Sequence, residues 1–204
     1  MTALLISSSI REDLGTTKLH YPADSIVVIA GIPGAGKSTL LRRLFTGASD
    51  VQVLDSERLR NRWKPVLRTI PYTVWRPALH LAYYALVLRA INTPGPLVIH
   101  DCATKPLVRQ LIGRAAKAAG RPIHLIMLDV PADVARLGQQ ARARVVREGS
   151  MATHSRRWPV LRNLAATDPG RVVPGAATAV ILTRQEANQL AKITFGPRTT
   201  KRSE

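Results

Sequence analysis

The 204-residue chain contains a single cysteine, Cys102, and lacks any long run of apolar residues. One cysteine excludes an internal disulfide framework and fits a reducing cytoplasm. The longest uncharged helical stretch, "PALHLAYYALVL", is shorter than the roughly 20 residues that a membrane-spanning helix needs. The opening residues, "MTALLISSSIRED", have neither the basic start nor the apolar segment of a signal peptide. We therefore expect a cytoplasmic protein without a membrane partner.

Acidic residues are also scarce. The chain has 13 aspartates and glutamates against 30 lysines and arginines, so its formal net charge is +17. Such a balance favours polyanionic partners, including nucleic acid and nucleotides. However, 23 of these cations are arginines and 7 are lysines, a bias that GC-rich coding also produces without selection for binding. Charge alone therefore leaves both interpretations open.

What the chain does contain is an alternation of apolar strands and helices. Predicted strands cover residues 25–30, 51–54, 95–101, 122–130 and 175–184. Predicted helices cover residues 37–45, 74–92, 106–120, 131–149 and 185–193, a further helix begins at Ser56, and residues 150–164 continue helically after a break. This alternation predicts a doubly wound α/β fold around a parallel sheet. Ligands of such sheets bind beyond the carboxyl ends of the strands.

The chain length fits one domain. Residues 1–24 lack a sustained pattern, and we expect them to form a loose N-terminal arm. Residues 25–195 form the predicted domain, with a helical lid at about residues 132–164. Residues 196–204 are predicted to be a disordered basic tail.

The stretch "GIPGAGKS", which begins at Gly31, fits the phosphate-loop pattern G-x-x-x-x-G-K-[ST]. A buried strand precedes it and an amphipathic helix follows, as this motif requires; the alternative is a glycine-rich turn with a solvated lysine. Glycines let backbone amides surround phosphate oxygens, and the helix N-terminus adds positive charge. Lys37 is predicted to contact the β- and γ-phosphates of ATP, and Ser38 to contact Mg²⁺. The predicted nucleotide-binding residues of the loop are Gly31, Pro33, Gly34, Ala35, Gly36, Lys37, Ser38 and Thr39.

Asp55 directly follows the second predicted strand, and Arg58 lies one turn further along the next helix on the same face. A carboxylate at this place could accept the proton of an attacking hydroxyl, and the arginine could hold an anionic group of the acceptor. Alternatively, Asp55 or Ser56 only caps the helix.

Asp101 is the only acidic residue from Arg58 to Leu128, a segment with 12 lysines and arginines. Its place at the end of the third predicted strand suits a contact with Mg²⁺, direct or through water. It could instead orient Arg58, cap a helix or form a buried ion pair. We interpret the neighbouring His100 and Cys102 as packing residues, because no companion cluster has zinc-ligand spacing.

Seven arginines and a single acidic residue occupy residues 136–162. An arginine supplied in cis places positive charge over the oxygens of a transferring phosphoryl group. The segment is therefore a candidate lid over the phosphates, and the alternative is a solvated basic face. Arg142 is the first candidate for a catalytic arginine, and Arg144 is the second, as a nucleotide contact.

Together, "GIPGAGKST", "DSER", "IHDC" and "LDVPADVARLGQQARAR" resemble the kinase module of the polynucleotide 5'-kinase and zeta-toxin-like group of P-loop proteins. Such chains are often described broadly as AAA-family ATP-binding proteins. The resemblance covers about residues 25–185. It implies a P-loop NTPase fold: a three-layer sandwich with a mostly parallel five-stranded sheet and a helical lid.

The same resemblance implies an ATP-dependent kinase that uses Mg²⁺. Lys37 and Ser38 would bind ATP and the metal, and Asp55 would be the general base. Arg58 would hold a phosphate of the acceptor, and Asp101 would support Arg58 or the metal. Arg142, thirteen residues after Asp129, matches the lid arginine that contacts the transferring phosphate.

The acceptor stays open between a nucleic-acid or nucleotide-like 5'-hydroxyl, which the basic charge slightly favours, and a small-molecule hydroxyl. Aromatic residues near Asp55 could stack a base or belong to the core; they are Tyr72, Trp75, Tyr83 and Tyr84. Arg68 and Arg76 are candidate phosphate contacts, and Thr183 and Arg184 are candidates for the adenine pocket. Two other functions remain: a regulatory ATPase module without efficient transfer, and a basic nucleic-acid-binding protein.

Overall fold

The computed structural model of the protein describes residues 11–13, 16–141 and 146–196. Its strands are β1 (Arg11–Asp13), β2 (Thr16–Tyr21), β3 (Ile26–Gly31), β4 (Gln52–Leu54), β5 (Leu97–His100), β6 (Ile123–Leu128), β7 (Ala176–Leu182) and β8 (Leu190–Phe195). Its helices are α1 (Lys37–Phe45), α2 (Ser56–Trp63), α3 (Tyr72–Ile91), α4 (Pro106–Ala118), α5 (Ala132–Gln140), α6 (Glu148–Thr167) and α7 (Arg184–Gln189), with a short 3-10 helix at Pro169–Arg171.

The main sheet has five parallel strands in the order β4-β5-β3-β6-β7. Each of the five predicted strands overlaps one of these, so the predicted α/β fold with a parallel five-stranded sheet is confirmed. Every residue of β3 and of β6 is buried, because the centre of a doubly wound sheet is covered on both faces. The sheet is thus a rigid platform, and its carboxyl edge presents the loops after β3, β4 and β5 side by side.

A second sheet joins the two ends of the described chain, with the strand order β1-β2-β8. β2 runs parallel to β8 and antiparallel to β1. The predicted loose arm is therefore wrong for residues 16–21, and the helix predicted at 185–193 is wrong beyond Gln189. The inward residues Leu19 and Tyr21 alternate with more exposed neighbours, which is strand periodicity, but the run is short. Its partner lies 174 residues away, as the bond between His20 and Thr194 shows, so no local pattern revealed the pairing.

The region predicted as a lid is also divided differently. A single helix over 131–149 is wrong, because α5 ends at Gln140 and α6 begins at Glu148. Two residues before α6, the backbone amide of Val146 donates to the side chain of Gln139 at 2.9 Å, whereas in a continuous helix it would donate to a backbone carbonyl one turn earlier. Of the segment between them, residues 142–145 lie outside the described residues, as do residues 197–204 of the predicted tail.

No helix within the described ranges combines the length and the apolar character needed to cross a membrane.

Candidate active site

A cavity of about 410 Å³ lies at the carboxyl edge of the main sheet. Residues that directly follow β3 and β5 line it, as expected for a ligand site of a parallel sheet. Helices α2, α3 and α6 supply other walls. Its lining from the two strand ends is Pro33, Gly34, Gly36, Lys37, Ser38, His100, Asp101 and Cys102.

The loop after β3 has a backbone that only glycine accommodates well. Gly34 and Gly36 have φ angles of +91° and +103°, in the left-handed region that disfavours residues with a Cβ. Gly36 is also the N-cap of α1, which begins without a side-chain cap and without an acidic residue in its first turn. The positive end of α1 is therefore available to an anion, which is the physical basis of phosphate binding at a helix N-terminus.

Lys37 lies under this loop and is only 4% exposed. Its Nζ donates hydrogen bonds to the carbonyl oxygens of Gly31 at 2.6 Å and Ile32 at 3.1 Å. A buried ammonium group needs such partners, and a phosphate would offer charged acceptors in place of neutral ones. Among the other predicted nucleotide-binding residues, Ala35 is buried and Thr39 is exposed, and neither is among the lining residues.

Asp55 is buried between the first turn of α2 and the end of β5. Its Oδ1 accepts from the backbone amide of Glu57 at 2.8 Å and lies 2.5 Å from Nδ1 of His100. The same Nδ1 is 3.5 Å from Oγ of Ser38. Burial would raise the pKa of Asp55, but the hydrogen bond and charge of His100, followed by the Glu57 amide and the Ser38 hydroxyl, outweigh it and lower that pKa. Asp55 therefore caps α2, and it is also an anion beside the phosphate loop.

The interpretation of His100 as a packing residue is wrong. His100 pairs with Ile29 as the last residue of β5, so its ring lies at the sheet edge, where it connects Asp55 to Ser38.

Asp101, the next residue, is buried and held by two hydrogen bonds. The backbone amide of Ala103 donates to its Oδ1 at 2.6 Å, and the hydroxyl of Tyr84 donates to its Oδ2 at 2.9 Å. Ala103 has a φ of +54°, the only positive value for a non-glycine residue among those described, which costs about 1–2 kcal/mol. Asp101 is among the residues that line the cavity. Its observed partners do not include Arg58.

The metal site predicted at Ser38 and Asp101 suits Mg²⁺ in its donor chemistry. The described residues contain no group of three or more His, Cys, Asp or Glu that could hold a metal ion. Protein-bound Mg²⁺ usually takes only one or two carboxylates and completes its shell with water and substrate phosphates. The hydroxyl of Ser38, in the first turn of α1, and the carboxylate of Asp101, directly after β5, fit that pattern.

Several cations besides Lys37 line the cavity, and the predicted acceptor-binding Arg58 is not among them. Arg58 is exposed and does not line the cavity, whereas Arg60 does. Residues two positions apart on a helix are rotated by about 200° from each other, so the side chains of Arg58 and Arg60 leave α2 on nearly opposite sides. The guanidinium of Arg60 lies 5.6 Å from the ring centre of Tyr72, and its buried Nε has no hydrogen-bond partner among the described residues. Other cations that line the cavity are Arg76, Lys105 and Arg147.

Three of the four aromatic candidates, Tyr72, Tyr83 and Tyr84, line the cavity, and Trp75 does not. Trp75 and Tyr83 are both buried. The hydroxyl of Tyr83 donates to the carbonyl oxygens at the ends of β4 and β5, so it fixes these two strand ends together. Arg68, the other candidate phosphate contact, is exposed and not among the lining residues.

His154 enters the cavity from α6, which the sequence did not indicate. Its Nδ1 lies 2.8 Å from Oγ1 of Thr104. Burial, together with the positive charges of Lys37, Lys105 and Arg157, lowers the pKa of His154 to about 4 despite the opposing effect of Asp101. The imidazole is thus neutral at pH 7.

The remaining predicted residues are placed as follows. Arg142 and Arg144 lie outside the described residues, so their roles stay predictions. Thr183 caps α7 in a capping box with Glu186, and Nη2 of Arg184 lies 3.5 Å from the carbonyl oxygen of Gly34.

Comparisons with known proteins agree with this geometry. A family model described as an AAA domain matches residues 26–161, which is more than half of the chain. A search of curated proteins finds no significant match.

Three solved structures share the fold. One, from the PezAT chromosomal toxin–antitoxin system of Streptococcus pneumoniae, has a TM-score of 0.58 at 14% identity, and the match covers 83% of this chain and 72% of that one. Kti12 of Chaetomium thermophilum, solved in complex with ADP-AlF3, has a TM-score of 0.53 at 16% identity and coverages of 81% and 95%. A gluconokinase from Sinorhizobium meliloti has a TM-score of 0.52 at 14% identity and coverages of 84% and 89%. These likenesses confirm the predicted P-loop kinase-type fold and, at such identities, establish the fold alone.

Proposed function

Because the chain belongs to the AAA-domain family whose model it matches, we propose that it is an ATP-dependent kinase. It transfers the γ-phosphate of ATP to a hydroxyl group of an acceptor. The family and the P-loop kinase-type fold support ATP binding and phosphotransfer in general. The assignment of residues and the nature of the acceptor are our proposals.

One observation carries the proposal: the phosphate loop and a separate cationic, aromatic region share one cavity. Lys37 and Ser38 line it from the start of α1, Arg60 lines it from α2, and Tyr72 and Arg76 line it from α3. A protein that only hydrolysed ATP would need the phosphate loop alone. Two sets of side chains with different chemistry suit a donor and an acceptor that meet in one cavity.

The proposed roles follow from the contacts. Lys37 and the N-terminus of α1 hold the phosphates, and they neutralise charge on the transferring group. Ser38 and Asp101 would hold Mg²⁺, which would supply positive charge to the phosphates. Asp55, kept anionic beside Ser38, accepts the proton of the acceptor hydroxyl. Arg142, with Arg144, is proposed to add charge at the transferring phosphate.

For the acceptor, we favour a nucleotide-like hydroxyl over an uncharged small molecule. Arg60 and Arg76 offer guanidinium groups to an anionic group of the acceptor. Tyr72 and Tyr84 offer rings on which a base can stack. Arg60 takes over the role that the sequence assigned to Arg58.

A second candidate function is a regulatory module that hydrolyses ATP. One observation favours this function: Asp55 does not line the cavity, whereas His100, which is bonded to it, does. Asp55 would then not reach an acceptor hydroxyl directly. In that case water is the acceptor.

The test is a screen for transfer of labelled γ-phosphate to 5'-hydroxyl oligonucleotides, nucleosides and sugars in parallel. We expect transfer by the native protein and a loss on the order of 10²-fold or more in Lys37→Ala. The matched control is Lys192→Ala, since Lys192 is exposed on β8 and should be dispensable.

The variant Asp55→Asn separates the two candidates. Loss of a general base costs about 10²–10⁴-fold in transfer rate, and ATP affinity should change little. A variant that keeps full hydrolysis would favour the regulatory module, and one that loses ATP affinity would place Asp55 at the metal. Full transfer activity in Lys37→Ala would refute the kinase proposal.

A further inference from the structure

Gln139, near the end of α5, is a buried polar side chain that touches three separate parts of the chain. It is 5% exposed, although glutamine is usually a surface residue. Its Nε2 donates to the carbonyl oxygen of Pro33 at 2.8 Å and lies 3.3 Å from Sδ of Met151. Its Oε1 accepts from the backbone amide of Val146 at 2.9 Å. Both ends of the amide are therefore engaged, one with the phosphate loop and one with the segment that leads into α6.

The phosphate loop and α5 approach so closely that neither tolerates a side chain at the contact. A Cβ on Gly34 would lie 2.1 Å from the carbonyl oxygen of Ala135, and a Cβ on Gly138 would lie 2.7 Å from the carbonyl oxygen of Gly34. This backbone-to-backbone contact is what allows Gln139 to reach Pro33. Since Gly34 belongs to the phosphate loop, a shift of this loop would also displace α5.

The segment on the other side of Gln139 belongs to the cavity. Val146, Arg147, Ser150 and His154 all line it, so the start of α6 contributes one cation and one neutral imidazole. Val146 lies two residues before the start of α6. A shift of Val146 would therefore shift these groups as well.

We infer that Gln139 is a positioning residue that couples the phosphate loop to the start of α6. The side-chain amide is planar, so Nε2 and Oε1 move as one rigid unit. A displacement of the Pro33 carbonyl when nucleotide binds is therefore passed to the Val146 amide, and with it to Arg147 and His154. The inference rests on the ATP binding in the proposed function but not on phosphotransfer.

The test compares Gln139→Met with Gln140→Met. The first variant keeps side-chain length and loses both hydrogen-bonding ends, whereas Gln140 is an exposed neighbour on the same helix. Two quantities are measured with and without magnesium and a non-hydrolysable ATP analogue: the affinity by calorimetry, and amide hydrogen exchange at residues 31–38 and 146–154.

In the native protein and in Gln140→Met, we expect the analogue to slow exchange at both segments. In Gln139→Met, we expect affinity within about threefold of native, slowed exchange at 31–38, and no slowing at 146–154. A third variant, Gln139→Glu, keeps an acceptor for Val146 and loses the donor to Pro33. It should likewise lose the response at 146–154, which a merely space-filling role of Gln139 would not produce.

The outcomes are distinct. If Gln139→Met keeps the response at 146–154, or if the native protein responds only at 31–38, the coupling role is refuted and the proposed function stands. If the native protein binds no analogue, the proposed function falls and the inference falls with it. Should Gln139→Met fail to fold, Gln139→Asn gives the same comparison, since its amide is one methylene too short to reach both partners.

Discussion

Ionisable side chains around the cavity set one another's charge. The bond from His100, with help from neighbouring donors, keeps Asp55 anionic although the carboxylate is buried. Burial and nearby cations keep His154 neutral. An anion beside Ser38 and an uncharged imidazole near Lys37 therefore both adjoin the start of α1, and neither charge state was apparent from residue type alone.

The low pKa of His154 predicts how stability depends on pH. An unfolded histidine takes up a proton below about pH 6.5, whereas His154 in the folded protein does so only near pH 4. Between these values the unfolded chain binds more protons, so the free energy of unfolding falls as pH drops from 6.5 to 4 and gains nothing above 6.5.

We expect His154→Gln to make the plot of unfolding free energy against pH shallower in that window, as measured by urea denaturation at several pH values. The ring signals of His154 in NMR should stay those of a neutral imidazole down to about pH 4. A midpoint near 6.5 for His154 would show that its surroundings are not as described.

The cavity-lining residues that the sequence predicted are mostly those of one contiguous motif. The phosphate loop is contiguous, so its glycines, Lys37 and Ser38 could be read from spacing. Arg60 and His154 could not, because their place depends on how α2 and α6 pack in three dimensions. Arg58 was predicted from its spacing after Asp55, and the sequence did not indicate Arg60, which lines the cavity because of the orientation of α2.

Among the secondary-structure elements, α6 packs on the core through Met151, Trp158, Leu161 and Ala165, and one carboxylate holds two of its side chains. Asp129, just after β6, accepts from Nε1 of Trp158 at 2.9 Å and pairs with Nε of Arg162 at 2.7 Å. Both partners lie in the second half of α6, whereas His154 lies in the first half and Arg147 is the N-cap residue. Asp129 therefore fixes the helix whose other end lines the cavity.

We predict that Asp129→Ala lowers the free energy of unfolding by about 1–3 kcal/mol, because it leaves the buried indole N–H of Trp158 without a partner. The control is Asp50→Ala, at an exposed loop position, where a change within about 0.5 kcal/mol is usual. Urea denaturation of both variants provides the measurement. Equal effects would mean that Asp129 does not anchor α6.

Elements with continuous apolar runs were predictable, and those that depend on distant partners were not. The central strands β3, β5 and β6 are continuously apolar and almost fully buried, so their sequences alone predict buried strands. β8 was predicted as helix because "QEANQLAKI" suits a helix up to Gln189, and only pairing with β2 turns its second half into a strand. The interruption between α5 and α6 likewise involves a hydrogen bond that spacing does not reveal, from the backbone amide of Val146 to the side chain of Gln139.

The whole molecule combines two sheets that share one hydrophobic core. Leu19 of β2 belongs to the same core as the main sheet and is 1% exposed. Arg43 of α1 donates to the carbonyl oxygens of Ala187 and Leu190, so the helix after the phosphate loop is tied to the start of β8. The second sheet is thus a structural support and lies away from the cavity lining.

We predict that Leu19→Ala lowers the free energy of unfolding by about 2–5 kcal/mol, the usual cost of truncating a buried leucine. The control Lys18→Ala changes an exposed residue of the same strand. Nucleotide affinity of the folded Leu19→Ala protein should equal that of the native protein. A small loss of stability would show that β2 is dispensable, and a loss of affinity would connect the second sheet to the site.

The parallel pairing of β2 with β8 has a consequence for biosynthesis. At ordinary ribosomal speeds, about 5–20 residues per second, the 174 residues from His20 to Thr194 take roughly ten to thirty seconds to be translated. During that interval β1 covers one side of β2, and the other side has no partner strand. An unpaired strand edge invites association between nascent chains. The shortness of β2 and the charge on Lys18 are the features that limit this hazard until the ribosome delivers β8.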